Sequence, residues 1–211
     1  MRSSLRESLR LIVITDKRLK PNVVQAVREA LEGGATSIQL RLKESSTREM
    51  LETGKALRRL TTDYGVLYFV DDRLDVALAT EADGVQLGPE DMPVSVAREL
   101  APNLIVGASV YSVEEAVEAE RDGAHFLGAG SVFPTPSKAS VKVLGVEGLS
   151  RVVKAVKIPV VAIGGIDKSN VRLVLSTGVT GIAIISAVMG AEDVRKATSE
   201  LRKAVDEGLR G

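Results

Sequence analysis

Six charged side chains in this sequence stand just past the ends of short apolar runs, and they divide into two kinds. Arg41, Lys43 and Lys138 are cations; Asp71, Asp72 and Asp91 are carboxylates. Three carboxylates gathered in one place repel each other unless positive charge lies between them. Hard oxygen donors suit Mg²⁺, which takes one or two protein carboxylates and completes its shell with water and phosphate oxygens. A basic pair beside such an ion points to a substrate that carries a polyphosphate. The stretches AIGGIDKSN and GIAIISAVM read as a second anion site, since Gly164 and Gly165 let backbone N–H groups approach a ligand and Ser186 opens the next helix. Two substrates are therefore expected, one a diphosphate held with metal and one a monophosphate.

These residues can meet only if the runs that carry them lie side by side. LIVIT (11–15), TSIQLR (36–41), VLYFV (66–70), DGVQL (83–87), LIVGAS (104–109), HFLGAG (125–130), PVVAIGG (159–165) and GIAIIS (181–186) are rich in Val, Ile and Leu without polar alternation. Strands covered on both faces have that composition, and the segments between them have helical period. NVVQAVREALEGG, for example, puts Val23, Ala26, Val27, Ala30 and Leu31 on one stripe before Gly33 and Gly34 end it. Eight such units in 211 residues predict an α/β fold, a parallel (β/α)8 TIM barrel spanning 1–211 as one domain. An open doubly wound sheet shares the alternation, but TDKRLKP stands after the first run where that fold carries a Gly-rich phosphate loop.

Barrel active sites lie at the carboxyl ends of the strands. That rule selects Gln39, Arg41 and Lys43 after strand two, Asp71 and Asp72 after strand three, Asp91 in LGPED after strand four, and Ser109 on strand five. It adds Thr135, Ser137 and Lys138 in VFPTPSK after strand six, Gly164 and Gly165 after strand seven, and Ile185 and Ser186 after strand eight. The competing reading of Asp72 is a helix N-cap, and that of Lys138 a solvated loop residue. His125, the sole histidine, opens a strand at the opposite end and reads as structural.

Composition removes other functions. The chain carries 28 basic and 28 acidic residues and only 3% aromatics, so it offers neither bulk attraction to nucleic acid nor platforms for stacking bases. No apolar run approaches the roughly 18 residues of a membrane span. With no cysteine there are no disulfides and no thiolate chemistry, and MRSSLRESLR lacks the apolar core of a secretory signal. A cytoplasmic protein without nucleic-acid or membrane partners, and able to form a homo-oligomer, is expected.

The ordered series ITD, GATSIQLRLK, VDDRLDVAL, ADGVQLGPED, GASVYS, GAGSVFPTPSK, AIGGI and GIAIISA resembles the thiamine-phosphate synthase family over about residues 11 to 189. The resemblance implies a transferase that joins a pyrimidine methyl diphosphate to a thiazole phosphate, releasing pyrophosphate. It also implies that Gln39, Leu40, Arg41, Leu42, Lys43, Asp71, Ser109 and Lys138 hold the pyrimidine diphosphate, with Arg41, Ser109 and Lys138 closest to the chemistry. Thr135, Pro136, Ser137, Gly165, Ile185 and Ser186 would hold the thiazole phosphate, and Asp72 and Asp91 would bind Mg²⁺. Four positions depart from the family pattern, which usually has Asn for Asp71, often His for Gln86 and near Tyr111, and a second threonine where Ser137 keeps the hydroxyl. The rivals are a thiazole tautomerase paralogue, which would need a histidine where Ser131 stands, a sugar-phosphate isomerase, and a barrel that binds phosphate ligands without turnover.

Overall fold

The computed structural model describes residues 4–135 and 143–210. Eight strands form the barrel: β1 (Leu11–Ile14), β2 (Ser37–Leu40), β3 (Leu67–Asp71), β4 (Gly84–Leu87), β5 (Ile105–Val110), β6 (Phe126–Ala129), β7 (Val160–Ile163) and β8 (Gly181–Ile184). Each pairs in parallel with its sequence neighbours, and β8 closes on β1 through Ile12↔Ala183. The open-sheet alternative is thereby excluded. Helices follow the strands: α2 (Val23–Glu32), α3 (Thr47–Tyr64), α4 (Leu74–Ala79), α5 (Val94–Leu100), α6 (Val113–Arg121), α7 (Gly145–Ala155), α8 (Val171–Leu175), α9 (Ser186–Met189) and α10 (Val194–Gly208), with a short α1 (Leu5–Ser8) ahead of β1.

Local chemistry sets the helix ends. Ser46 Oγ accepts from the Glu49 N–H at 3.2 Å to start α3, and Gly65, in the left-handed region at φ +67°, ends it. The five apolar residues expected on the stripe of α2 are the five buried there. Strand alternation then divides the side chains between two cores. Outward residues such as Val13, Ile38, Val70, Val85 and Ile182 join the layer between strands and helices, while Ile12, Ile14, Phe69, Phe126, Val161 and Ala183 fill the barrel.

The barrel interior is packed, with the Phe69 and Phe126 rings edge to face at 5.5 Å between centroids. Glycine makes room for them. A Cβ on Gly84 would stand 2.7 Å from Phe69 Cε1, and one on Gly107 would stand 2.4 Å from Phe126 Cζ. Leu5 and Leu9 close the amino end from below, a role for α1 that the strand pattern did not announce. His125 lies at this end too, its Nδ1 accepting from the Val106 N–H at 2.9 Å, which is the structural role expected of it. Because the two rings occupy the middle of the barrel, Phe69→Ala should lower stability by about 3–5 kcal/mol, measured by urea denaturation.

Candidate active site

Above the aromatic layer the inward positions turn polar on one side only. The alternation that sends Ile38, Leu40 and Leu42 into the outer core leaves Gln39 and Arg41 facing inward from β2. Leu40 and Leu42 thus turn their side chains away, and only their backbone could meet a ligand. Asp71 of β3, Gln86 of β4 and Ser109 of β5 complete the polar half. Ile163 of β7 with Ala183 and Ile185 at β8 make the facing half apolar.

Arg41 is the centre of the polar half. Its side chain is 10% exposed and its guanidinium lies between two carboxylates, with Nε 3.6 Å from Asp71 Oδ2 and an Nη 3.8 Å from Asp16 Oδ2. Thr15 Oγ1 accepts from the Arg41 N–H at 2.8 Å and donates to the Arg41 carbonyl at 3.1 Å, so the backbone is held as well. Asp71 also accepts from Gln39 Nε2 at 2.7 Å. The extra carboxylate is thus offset by Arg41 and an amide donor, whereas Lys43 pairs with Asp72. Asp16 and Thr15 escaped the sequence reading, although the rule applied to the later strands would have selected them at the end of β1.

Asp72 and Asp91 form a second cluster. Lys43 Nζ lies 3.2 Å from Asp72 Oδ2. Asp72 adopts φ +65°, a left-handed conformation that Asp tolerates better than most residues, and its N–H still donates to the Gln86 carbonyl at 2.8 Å. It does not cap α4, whose N-cap is Arg73 without a side-chain bond, so the N-cap reading falls. Asp91 Oδ2 accepts from the Gly88 N–H at 2.6 Å. Burial raises the Asp91 carboxyl above its usual range, the Gly88 bond opposes this, and the charge of Asp72 and a shared hydrogen bond with it raise it further, with Lys43 opposing. No cluster of three or more acidic or other metal-binding side chains occurs among the described residues. Two adjacent carboxylates that repel each other and have oxygen-only donors fit Mg²⁺, whose remaining ligands are water and phosphate oxygens.

The apolar half opens into a pocket lined by Gly130, Thr135, Gly164, Gly165, Ile185 and Ser186 among others. Gly164 and Gly165 have φ of +100° and +64°, and a Cβ on either would meet Ser131 or Phe133, so the tight β7 turn requires both glycines. Ser186 begins α9, as expected. Ser131 Oγ donates to the Phe133 carbonyl at 2.5 Å and so serves the loop. Arg41, Ser109 and Gly128 border this pocket and the polar one alike, making them one cleft. Pro136, Ser137 and Lys138 lie outside the described residues.

The chain matches the family model described as thiamine monophosphate synthase over residues 11–188. It is 69% identical to a thiamine-phosphate synthase of Pyrococcus furiosus, across 98% of this chain and 99% of that one. A Methanococcus maripaludis thiamine-phosphate synthase is 48% identical, across 97% and 99%. The solved structure of a P. furiosus thiamine phosphate pyrophosphorylase superposes with a TM-score of 0.94 at 69% identity, covering 98% of this chain and all of that one. At 16% identity, the Bacteroides thetaiotaomicron thiamine phosphate pyrophosphorylase, with a TM-score of 0.68 over 93% of this chain and 98% of that one, shows the shared fold alone.

One consequence concerns Asp16, whose carboxyl is held below its usual range chiefly by hydrogen bonds from the Arg18 side chain, against the effect of burial. A lowered folded pKa means that the unfolded chain binds the proton more readily, so this stabilisation is present above about pH 3.9 and is lost as pH falls through the folded value. Thermal melts in acid should show wild type losing its advantage over Asp16→Asn as the pH drops through that window, with the difference constant near neutrality.

Proposed function

The chain belongs to the thiamine monophosphate synthase family, and from that premise we propose its reaction and the roles of its side chains. It is a thiamine-phosphate synthase, a transferase. In the proposed reaction, 4-amino-2-methyl-5-(diphosphooxymethyl)pyrimidine and a thiazole ethyl phosphate give thiamine phosphate and pyrophosphate, with CO2 released as well when the thiazole is carboxylated. The observation that carries this reading is the single cleft with two unlike halves, charged on β2–β5 and glycine-rich on β6–β8, meeting at Arg41 and Ser109.

The pyrimidine diphosphate would lie on the polar half, with Gln39, Asp71 and Ser109 toward the ring and Arg41, Lys43 and Lys138 toward the diphosphate. The thiazole phosphate would lie on the backbone of Gly165, Ile185 and Ser186, with Thr135, Pro136 and Ser137 beside it. Cleavage of the methylene C–O bond sends the electron pair to the departing pyrophosphate. Arg41 and Lys43 would stand beside the oxygens on which that charge grows, and preorganised charge of this kind lowers a barrier because it needs no reorientation. Asp72 and Asp91 would hold Mg²⁺, which when bound supplies further neutralisation of the diphosphate oxygens. The pyrimidine methyl cation left behind is stabilised by its ring amino group, and the thiazole nitrogen attacks it to form the C–N bond. No protein nucleophile is needed. Positioning two bound substrates within reach of each other supplies the remainder of the rate.

Ser131, already committed to the Phe133 carbonyl, offers no general base for the tautomerase chemistry of a paralogue. With both substrates and Mg²⁺, thiamine phosphate and pyrophosphate should appear together. Binding of both ligands without product would leave the non-catalytic reading, and product without any divalent ion would remove the roles given to Asp72 and Asp91. Steady-state kinetics of Asp72→Ala should show kcat/KM lower by about 100-fold or more. Asp71→Asn, which keeps an oxygen to accept from Gln39, should retain most of the activity, and an inactive variant would show that the extra carboxylate is used.

A further inference from the structure

One buried polar atom in the cleft has no partner. Gln86 is 5% exposed, and its Nε2 donates to Ser109 Oγ at 3.0 Å, but its Oε1 is sealed from water and accepts from nothing. A buried acceptor left unpaired destabilises the free protein, and native chains keep few of them. The surroundings are shaped around this amide. A Cβ on Gly107 would come within 2.2 Å of Oε1 and one on Gly128 within 3.0 Å of Nε2, so two neighbouring strands give up side chains to let the amide lie across the barrel. Gln86 stands in register with Asp71 and borders the same polar half as Gln39, Arg41 and Ser109.

Resting on the function proposed above, we infer that Gln86 reads the pyrimidine, its Oε1 accepting a hydrogen bond from the ring amino group. The chemistry is complementary: a carboxamide oxygen lacking a donor would meet a ligand whose exocyclic amine carries two, and carboxamides pair with aminated heterocycles in this way elsewhere. The terminal torsion of glutamine is broad, so the amide can turn toward the incoming amine without moving β4. The opposite wall, built from Ile163, Ala183 and Ile185, is apolar and suits the remainder of a ring. Gln86 thereby becomes a specificity residue: a site that buries an acceptor for one hydrogen bond rejects an analogue lacking the donor far better than it distinguishes apolar groups.

The test is a cycle of two proteins and two ligands, measured by calorimetry with Mg²⁺ and without thiazole phosphate. The ligands are the pyrimidine diphosphate and its analogue with hydrogen in place of the amino group. Wild type should bind the analogue about tenfold more weakly or worse, the loss expected when a buried acceptor goes unmet. Gln86→Met should bind the parent ligand about tenfold more weakly than wild type does, and the discrimination between the two ligands should largely vanish. Its melting temperature should equal or exceed that of wild type, because the orphan acceptor is gone. Gln86→Leu provides the same comparison if the Met variant does not fold. Undiminished discrimination in the variant overturns the inference, as does a lower melting temperature with both ligands weakened equally, which would mark a structural residue. Failure of wild type to bind the pyrimidine diphosphate would instead count against the proposed function.

Discussion

A ring of eight parallel strands encloses a space that must be filled, and in this protein two aromatic rings fill most of its middle. Phe69 and Phe126 meet edge to face because β4 and β5 present Gly84 and Gly107 opposite them. Below the rings α1 closes the barrel with Leu5 and Leu9. Above them the next inward residues cannot sink further and form a floor at the carboxyl ends of the strands. The cleft exists because the space beneath it is occupied, and its polar side chains keep their positions because that floor is rigid.

Charge is arranged on this floor by mutual compensation. Arg41, nearly removed from water, is flanked by Asp16 and Asp71, and Asp16 is in turn held by Arg18. A buried guanidinium is tolerated only with such partners, and the same partners fix its direction. Lys43 and Asp72 repeat the arrangement nearer solvent, with Asp91 crowded beside them. The crowding of those two carboxylates stores repulsion that a divalent cation would relieve, and the orphan oxygen of Gln86 stores a similar cost in hydrogen bonding.

The alternation of apolar runs and helical stripes made the barrel legible, since each strand and the stripe of α2 are short-range patterns. The carboxyl-end rule likewise reached Gln39, Arg41, Asp71, Asp72, Asp91 and Ser186 without any contact being known. What escaped were pairings. The order of charges along the chain does not say which cation meets which carboxylate, and the strand stagger gives Asp71 to Arg41 and Gln39 and leaves Lys43 to Asp72. Asp16 stood within reach of the same carboxyl-end rule at the close of β1, whereas the unpaired oxygen of Gln86 had no local signal, because Gln86 looks like a strand residue of ordinary type.

The amino-acid sequence by itself determined the fold class, the order of the elements and the set of residues delivered to one end of the barrel. These follow from short continuous apolar runs and from a period of about 3.6 residues between them, which depend only on neighbours along the chain. The tertiary structure alone decided which carboxylate neutralises which cation and which inward positions must be glycine. It also decided which amide oxygen is left without a partner. Those outcomes turn on the registers between strands and on the space left by side chains more than twenty residues away, as between Gln39 and Asp71 or Gln86 and Ser109, and no local pattern carries that information.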